Sequence, residues 1–105
     1  MKSCESIGEI LGTFVFVYIA LTQTEPLTIA VALFVGIMIA VSFGSKAYLN
    51  PGIAIGDYSR NEVLKQEGTS GSDAMSYIGS ELLGVVLAVV VVYVQNQTCG
   101  KQGEN

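Results

Sequence analysis

Charge is missing from two long stretches of this chain. Between Ile10 and Gly44 the single ionisable carboxylate or amine is Glu25, and between Leu82 and Gln97 there is none. An uncharged apolar run of about 20 residues is the length of a helix that crosses the ~30 Å hydrocarbon layer of a bilayer. In lipid a lone strand cannot satisfy its backbone groups, whereas a helix satisfies them internally. The β-branched run Val85 to Val92 is therefore expected to be helical even though its residues favour strands in water. Composition agrees with this reading. Half of the 105 residues are hydrophobic, 13% are charged, and mean hydropathy is +0.54. A soluble domain of this size needs a more highly charged surface to stay dispersed.

The pattern divides into spans and joints. The spans are expected over 7–22, 27–43 and 76–94. Thr22-Gln23-Thr24-Glu25-Pro26 forms the first joint, and Pro26 suits the opening position of a helix. A polar connector occupies 57–75 and a polar tail 95–105. Basic residues near the ends of spans set orientation. Lys2, Lys46, Arg60 and Lys65 fall on the side of the N-terminus, and Lys101 falls on the other, so the N-terminus is expected in the cytoplasm and the C-terminus outside. Glu9 interrupts the first apolar run and no A-x-A site follows, so no cleaved secretory signal is expected. The fold class is an all-α membrane protein forming one domain over 1–105.

Several function classes are excluded or disfavoured. A net charge of −4 leaves no basic face for phosphates, which argues against nucleic-acid binding. There are no histidines, and Cys4 and Cys99 form no CxxC pair. No metal cluster, cofactor motif or nucleophile–base pair is apparent, so an enzyme is not expected.

The segment between the second and third spans is the most informative. Gly44 to Gly56 is mildly apolar, too short to cross, and carries Tyr48-Leu49-Asn50-Pro51-Gly52. Asn is a good N-cap and Pro a good first helical residue, which predicts a short helix from Asn50 to about Tyr58. One reading is an ordinary capped helix in a surface loop. The other is a re-entrant half-helix whose first amides and positive dipole end face a cavity at membrane depth. The Asn50 amide would then donate to a passing oxygen, and a cation would meet the wrong sign of potential. Glu9 and Glu81 are carboxylates inside spans, where such groups usually pair within the bundle. They are expected to brace the loop amides rather than relay protons. Gly8-x-x-x-Gly12 and Ser76-x-x-x-Ser80-x-x-x-Gly84 set small residues on single helix faces, which permits close helix contact.

These residues together resemble the major intrinsic protein family, the aquaporins and glycerol facilitators. Gly8-Glu9-Ile10-Leu11-Gly12-Thr13-Phe14 is similar to that family's first helix. Gly44 to Gly56 resembles its first signature loop, usually ending His-Leu-Asn-Pro-Ala-Val-Thr, and Tyr77-Ile78-Gly79-Ser80-Glu81-Leu82-Leu83-Gly84 resembles its third helix. The resemblance implies three transmembrane helices plus a re-entrant half-helix, half of an aquaporin-like bundle. It also implies a passive channel subunit for water or small neutral solutes such as glycerol. Asn50 would be the donor to the permeant, with Pro51 and Gly52 as the half-helix start. Carbonyls of Lys46, Ala47 and Tyr48 would be acceptors, and Ala30 would stand where a larger filter residue is common. Tyr48 replaces the family's usual histidine, Lys46 a glycine, and Glu81 a glutamine. The second repeat is missing. The expected partners are therefore the lipid bilayer and a second half-channel, either an inverted copy of this chain or a separate chain, within a higher oligomer. The alternatives are a non-conducting truncated fragment and a small holin-like or assembly membrane protein.

Overall fold

A computed structural model describes residues 1–99. Lys101 and most of the expected polar tail lie outside the described residues. Four helices follow in order: α1 (Ser3–Thr22), α2 (Pro26–Ser42), α3 (Pro51–Val63) and α4 (Gly71–Thr98). No strand occurs among the described residues. α1 and α4 are long and apolar enough to cross a membrane, and α2 is a shorter apolar helix.

Local chemistry explains where three of the helices begin. The Glu25 carboxylate accepts from Leu27 N (3.1 Å) and Thr28 N (2.8 Å), with Pro26 at the first helical position. Asn50 Oδ1 accepts from Gly52 N at 2.7 Å, and Pro51 opens α3. Ser70 Oγ accepts from Asp73 N at 3.2 Å. These caps satisfy amides that have no partner inside their own helix. α1, α3 and α4 exceed their expected bounds, and α2 is shifted by one residue. α3 continues past Tyr58 to Val63, and α4 starts five residues before Ser76 and runs on to Thr98. The expected connector thus shrinks to the stretch between α3 and α4, because its polar residues serve as the last turns of one helix and the capped first turn of the next.

α1 packs between α2 and α4, and α3 lies against α4. α1 and α4 run parallel: the Met1 amine meets Asp73 Oδ1 at 2.8 Å near one end, and Tyr18 Oη donates to Gln95 Oε1 at 2.9 Å near the other. α2 runs antiparallel to α1 and crosses it at Gly12 and Gly36. A Cβ on Gly12 would stand 2.5 Å from the Gly36 carbonyl oxygen, and one on Gly36 would stand 2.7 Å from that of Gly12. Gly84 provides the matching approach from α4, where a Cβ would meet Ile10 O at 2.8 Å. Small residues are what let helix backbones approach this closely.

The interior is correspondingly built from small side chains. Ala32, Ala40, Ala54, Ala74 and Ala88 are buried with these glycines, and Leu49 is the one large aliphatic side chain buried among the described residues. The large apolar groups point outward instead, including Leu27, Phe34, Met38, Val86, Val89 and Tyr93. A water-soluble fold arranges these two classes the other way round.

Candidate functional site

The segment from Phe43 to Asn50 turns back into the bundle between α2 and α3. Gly44 has φ +85°, and Ala47 and Leu49 have φ +57° and +56°. A left-handed conformation costs a non-glycine residue about 1–2 kcal/mol, so this path needs outside support. Glu9 on α1 supplies it. Glu9 Oε1 accepts from Leu49 N at 2.5 Å, and Oε2 accepts from Ser45 Oγ. Ser45 Oγ in turn accepts from Ala47 N at 2.9 Å, and Lys46 N donates to Tyr77 Oη of α4 at 3.1 Å. The amides of Lys46, Ala47 and Leu49 are thus all satisfied by α1, α4 or Ser45. The carbonyl oxygens of Lys46, Ala47 and Tyr48 accept no hydrogen bond from the described residues.

Leu49 fixes the depth of this segment. Its side chain is seated at the α1–α2 crossing, with methyl carbons 3.0 and 3.1 Å from where a Cβ on Gly12 or Gly36 would stand. Gly12 is halfway along α1. Asn50 follows directly and is exposed. Its Oδ1 is committed to the cap of α3, and its side-chain NH2 has no acceptor among the described residues. The chain therefore enters α3 directly after a residue seated beside the middle of α1.

A second cluster ties α3 to the loops around it. Asp57 accepts from Tyr48 Oη, from the Arg60 guanidinium and from Thr69 N at 3.0 Å. The Tyr48 hydroxyl, then Arg60 and the Thr69 amide, hold the Asp57 carboxyl below the usual carboxylate range. Tyr48 also leans on Tyr77, with ring centroids 4.6 Å apart. Tyr48, Ile53, Gly56, Asp57 and Arg60 line an open cavity of about 460 Å³ beside α3. A second cavity of about 390 Å³ shares Tyr48, Asp57 and Arg60 and adds Lys46, Glu67 and Gly68.

The residues singled out in the sequence are thus placed unequally. Lys46, Ala47, Tyr48, Asn50, Pro51 and Gly52 share one segment, and Glu9 binds that segment directly. Ala30 is exposed on α2, six residues or about 9 Å along the helix from Gly36, and α2 does not touch α3. Glu81 departs from the expected brace. It faces Glu9 and the Asn50 amide, yet neither of its oxygens has a hydrogen-bond partner among the described residues. Glu9 takes the Leu49 and Ser45 donors, and the Asn50 amide that faces Glu81 makes no hydrogen bond to it. Four residues that matter here are not singled out as site residues by the sequence: Ser45, Leu49, Asp57 and Tyr77. The bonds that tie them to other elements join positions nine to forty residues apart, beyond the reach of helical spacing. No family model, curated protein or solved structure matches the chain.

Proposed function

We propose that this chain is a membrane-inserted half-channel of the aquaporin-like type, with α1, α2 and α4 as its three spans and α3 as a re-entrant half-helix. It would pass water or small neutral solutes once a second half closes the pore. The observation that carries the proposal is the seat of Leu49 at mid-α1, which supports a start of α3 at half depth instead of at a surface. Irregular backbone at that depth is tolerated where it is buried in protein or lines a water-filled cavity, and the exposed Asn50 favours the cavity. Outward-facing Leu, Val and Phe side chains around an Ala/Gly interior suit lipid as the surrounding solvent.

The chemistry of the segment fits a neutral, hydrogen-bonding permeant. Among the described residues, three carbonyls in a row are unclaimed acceptors and the Asn50 NH2 is an unclaimed donor at their end. The N-terminus of α3 adds a positive dipole end at the same point, which disfavours cations. Lys46 is exposed at the outer end of this row and adds to that bias.

One face of α3 is packed on α4, and Ile53, Ile55 and Gly56 stay exposed on it. A pore wall on that side has to come from outside these 105 residues. Four of the five basic residues fall on one side of the proposed spans, which favours a single orientation and weighs against an inverted copy as the second half. Osmotic swelling of vesicles holding the full chain, alone and with a candidate second half, tests the proposal. Water or glycerol flux that Asn50→Asp abolishes supports it. Leakage of a large dye with no solute preference would instead support a holin-like permeabilising protein.

A further inference from the structure

Two buried polar atoms that have no partner among the described residues belong to one side chain: both carboxyl oxygens of Glu81. Glu81 is 0% exposed, and so is Glu9, the carboxyl group facing it. Glu9 is an acceptor in both of its bonds, from Ser45 Oγ and from Leu49 N–H. A third orphaned oxygen, Thr13 Oγ1, lies one turn beyond Glu9 on α1 and packs on Gly84, three residues after Glu81 on α4. An unpartnered pair of carboxyl oxygens, an unpartnered hydroxyl and a doubly bonded carboxylate thus line one buried stretch of the α1–α4 interface.

The charges around this stretch do not neutralise it. From α1 the facing titratable group is Glu9, with Glu5 a turn nearer the N-terminus. α4 itself adds Tyr77, whose hydroxyl accepts from Lys46 N. α2 carries no titratable side chain. The re-entrant segment brings Lys46, which is exposed, and Tyr48, which is bound to Asp57 on α3. No described cation meets either carboxyl group. An ionised carboxylate buried without a donor is far costlier than a neutral one, and a like charge beside it adds repulsion. Glu9 holds two hydrogen-bond donors, whereas Glu81 faces the Asn50 amide without bonding it, so the neutral member of the pair must be Glu81.

We propose that Glu9 and Glu81 form a one-proton binding site, in which Glu81 is a carboxylic acid directing its O–H at the Glu9 carboxylate, and that this proton locks the re-entrant segment. The proton comes from water and returns to water, and no other bond changes. Its loss leaves two facing carboxylates. Glu9 is the one that also holds Leu49 and Ser45, so the repulsion acts on the latch that seats Leu49 between Gly12 and Gly36. The site needs only the α1–α4 interface and is independent of whether the chain conducts.

Infrared spectroscopy of the full chain in lipid vesicles tests the site, and amide hydrogen exchange over residues 45–50 tests the lock. The wild type at neutral pH should show the carbonyl stretch of a protonated carboxyl group, and Glu81→Gln should lack it. On moving to alkaline pH, exchange at the Leu49 amide in the wild type should rise about tenfold relative to Glu81→Gln at the same pH, the ratio that corresponds to one unit of proton affinity. A wild-type spectrum without that stretch overturns the proposal, and so does a stretch retained in Glu81→Gln. A stretch whose intensity follows sodium concentration also overturns it, because a metal cation would then be the neutralising species. Exchange that responds equally to pH in both proteins overturns the lock. Should Glu81→Gln fail to fold, the wild-type spectrum decides alone.

Discussion

Gly36→Ala at the α1–α2 crossing is the most direct test of how this bundle is held. The new methyl would stand 2.7 Å from Gly12 O and 3.1 Å from a Leu49 methyl. Carbon–oxygen contacts settle at about 3.3 Å or more, so α1 and α2 must part by roughly 0.6 Å along that line. Leu49 cannot yield easily, because its own amide is held by Glu9. Overpacking of a close-packed interface costs about 1–3 kcal/mol. The substitution also gains about 0.5–1 kcal/mol of helix propensity, which has to be removed from the comparison. Gly79→Ala removes it: Gly79 is helical and nothing lies within 4 Å of its built Cβ. The two variants share the propensity gain, so their difference isolates the crossing. It should be about 1–3 kcal/mol, or roughly 5- to 150-fold in the folded-to-unfolded ratio. Unfolding of each full-length variant in mixed micelles, titrated with sodium dodecyl sulfate and followed by far-ultraviolet circular dichroism, measures it. If Gly36→Ala and Gly79→Ala agree within about 0.5 kcal/mol, the backbones do not meet at these glycines and the seat described for Leu49 is wrong.

Leu49→Ala should cost about 2–5 kcal/mol in the same titration, because it empties a closed seat that neighbouring glycines cannot refill. Glu9→Gln keeps an acceptor oxygen but gives up a charge-assisted bond, for a loss of about 1.5–3 kcal/mol, and protease sensitivity between α2 and α3 should rise with it. Asp57 is held below the usual carboxylate range, so its contribution is present above that range and is lost as pH falls through the lowered value. Asp57→Asn should therefore flatten the acid limb of the stability–pH profile and leave the neutral region nearly parallel. Impermeant thiol labelling of Cys4 and Cys99, both exposed, should find the two on opposite sides of a vesicle. Mixed labelling of each cysteine would instead show that copies insert both ways.

The helices were legible because each rests on local chemistry. Glu25-Pro26 and Asn50-Pro51 mark starts of α2 and α3 whatever the rest of the chain does, and uncharged runs mark the bodies of α1, α2 and α4. Positions at the ends were less so. Residues 71–75 look like loop in isolation, and they become helix because Ser70 caps them and Met1 meets Asp73. The small-residue spacing of Gly8, Gly12 and Gly84 was readable as a packing face, but its partners were not. That Gly12 meets Gly36, with Leu49 wedged beside them, depends on a crossing angle that no local pattern encodes. Glu9 and Glu81 looked alike in the sequence. They differ in the fold because two donors from one segment reach Glu9 first. Asp57 read as the first polar residue of a connector, and its three partners come from the segment before α3, its own helix and the stretch before α4.

The seat of Leu49 has a consequence for the order of synthesis. Its walls, Gly12 and Gly36, belong to a helical hairpin that leaves the ribosome before Leu49 does, while Glu81 emerges more than thirty residues later. The hairpin can close as soon as α2 is made, because α1 and α2 are joined by three residues. The Asn-Pro segment therefore meets a finished socket and is clasped afterwards by α4. A change in the tempo of translation between Leu49 and Glu81 would alter how long the segment waits half-held, even though the mature fold stayed the same.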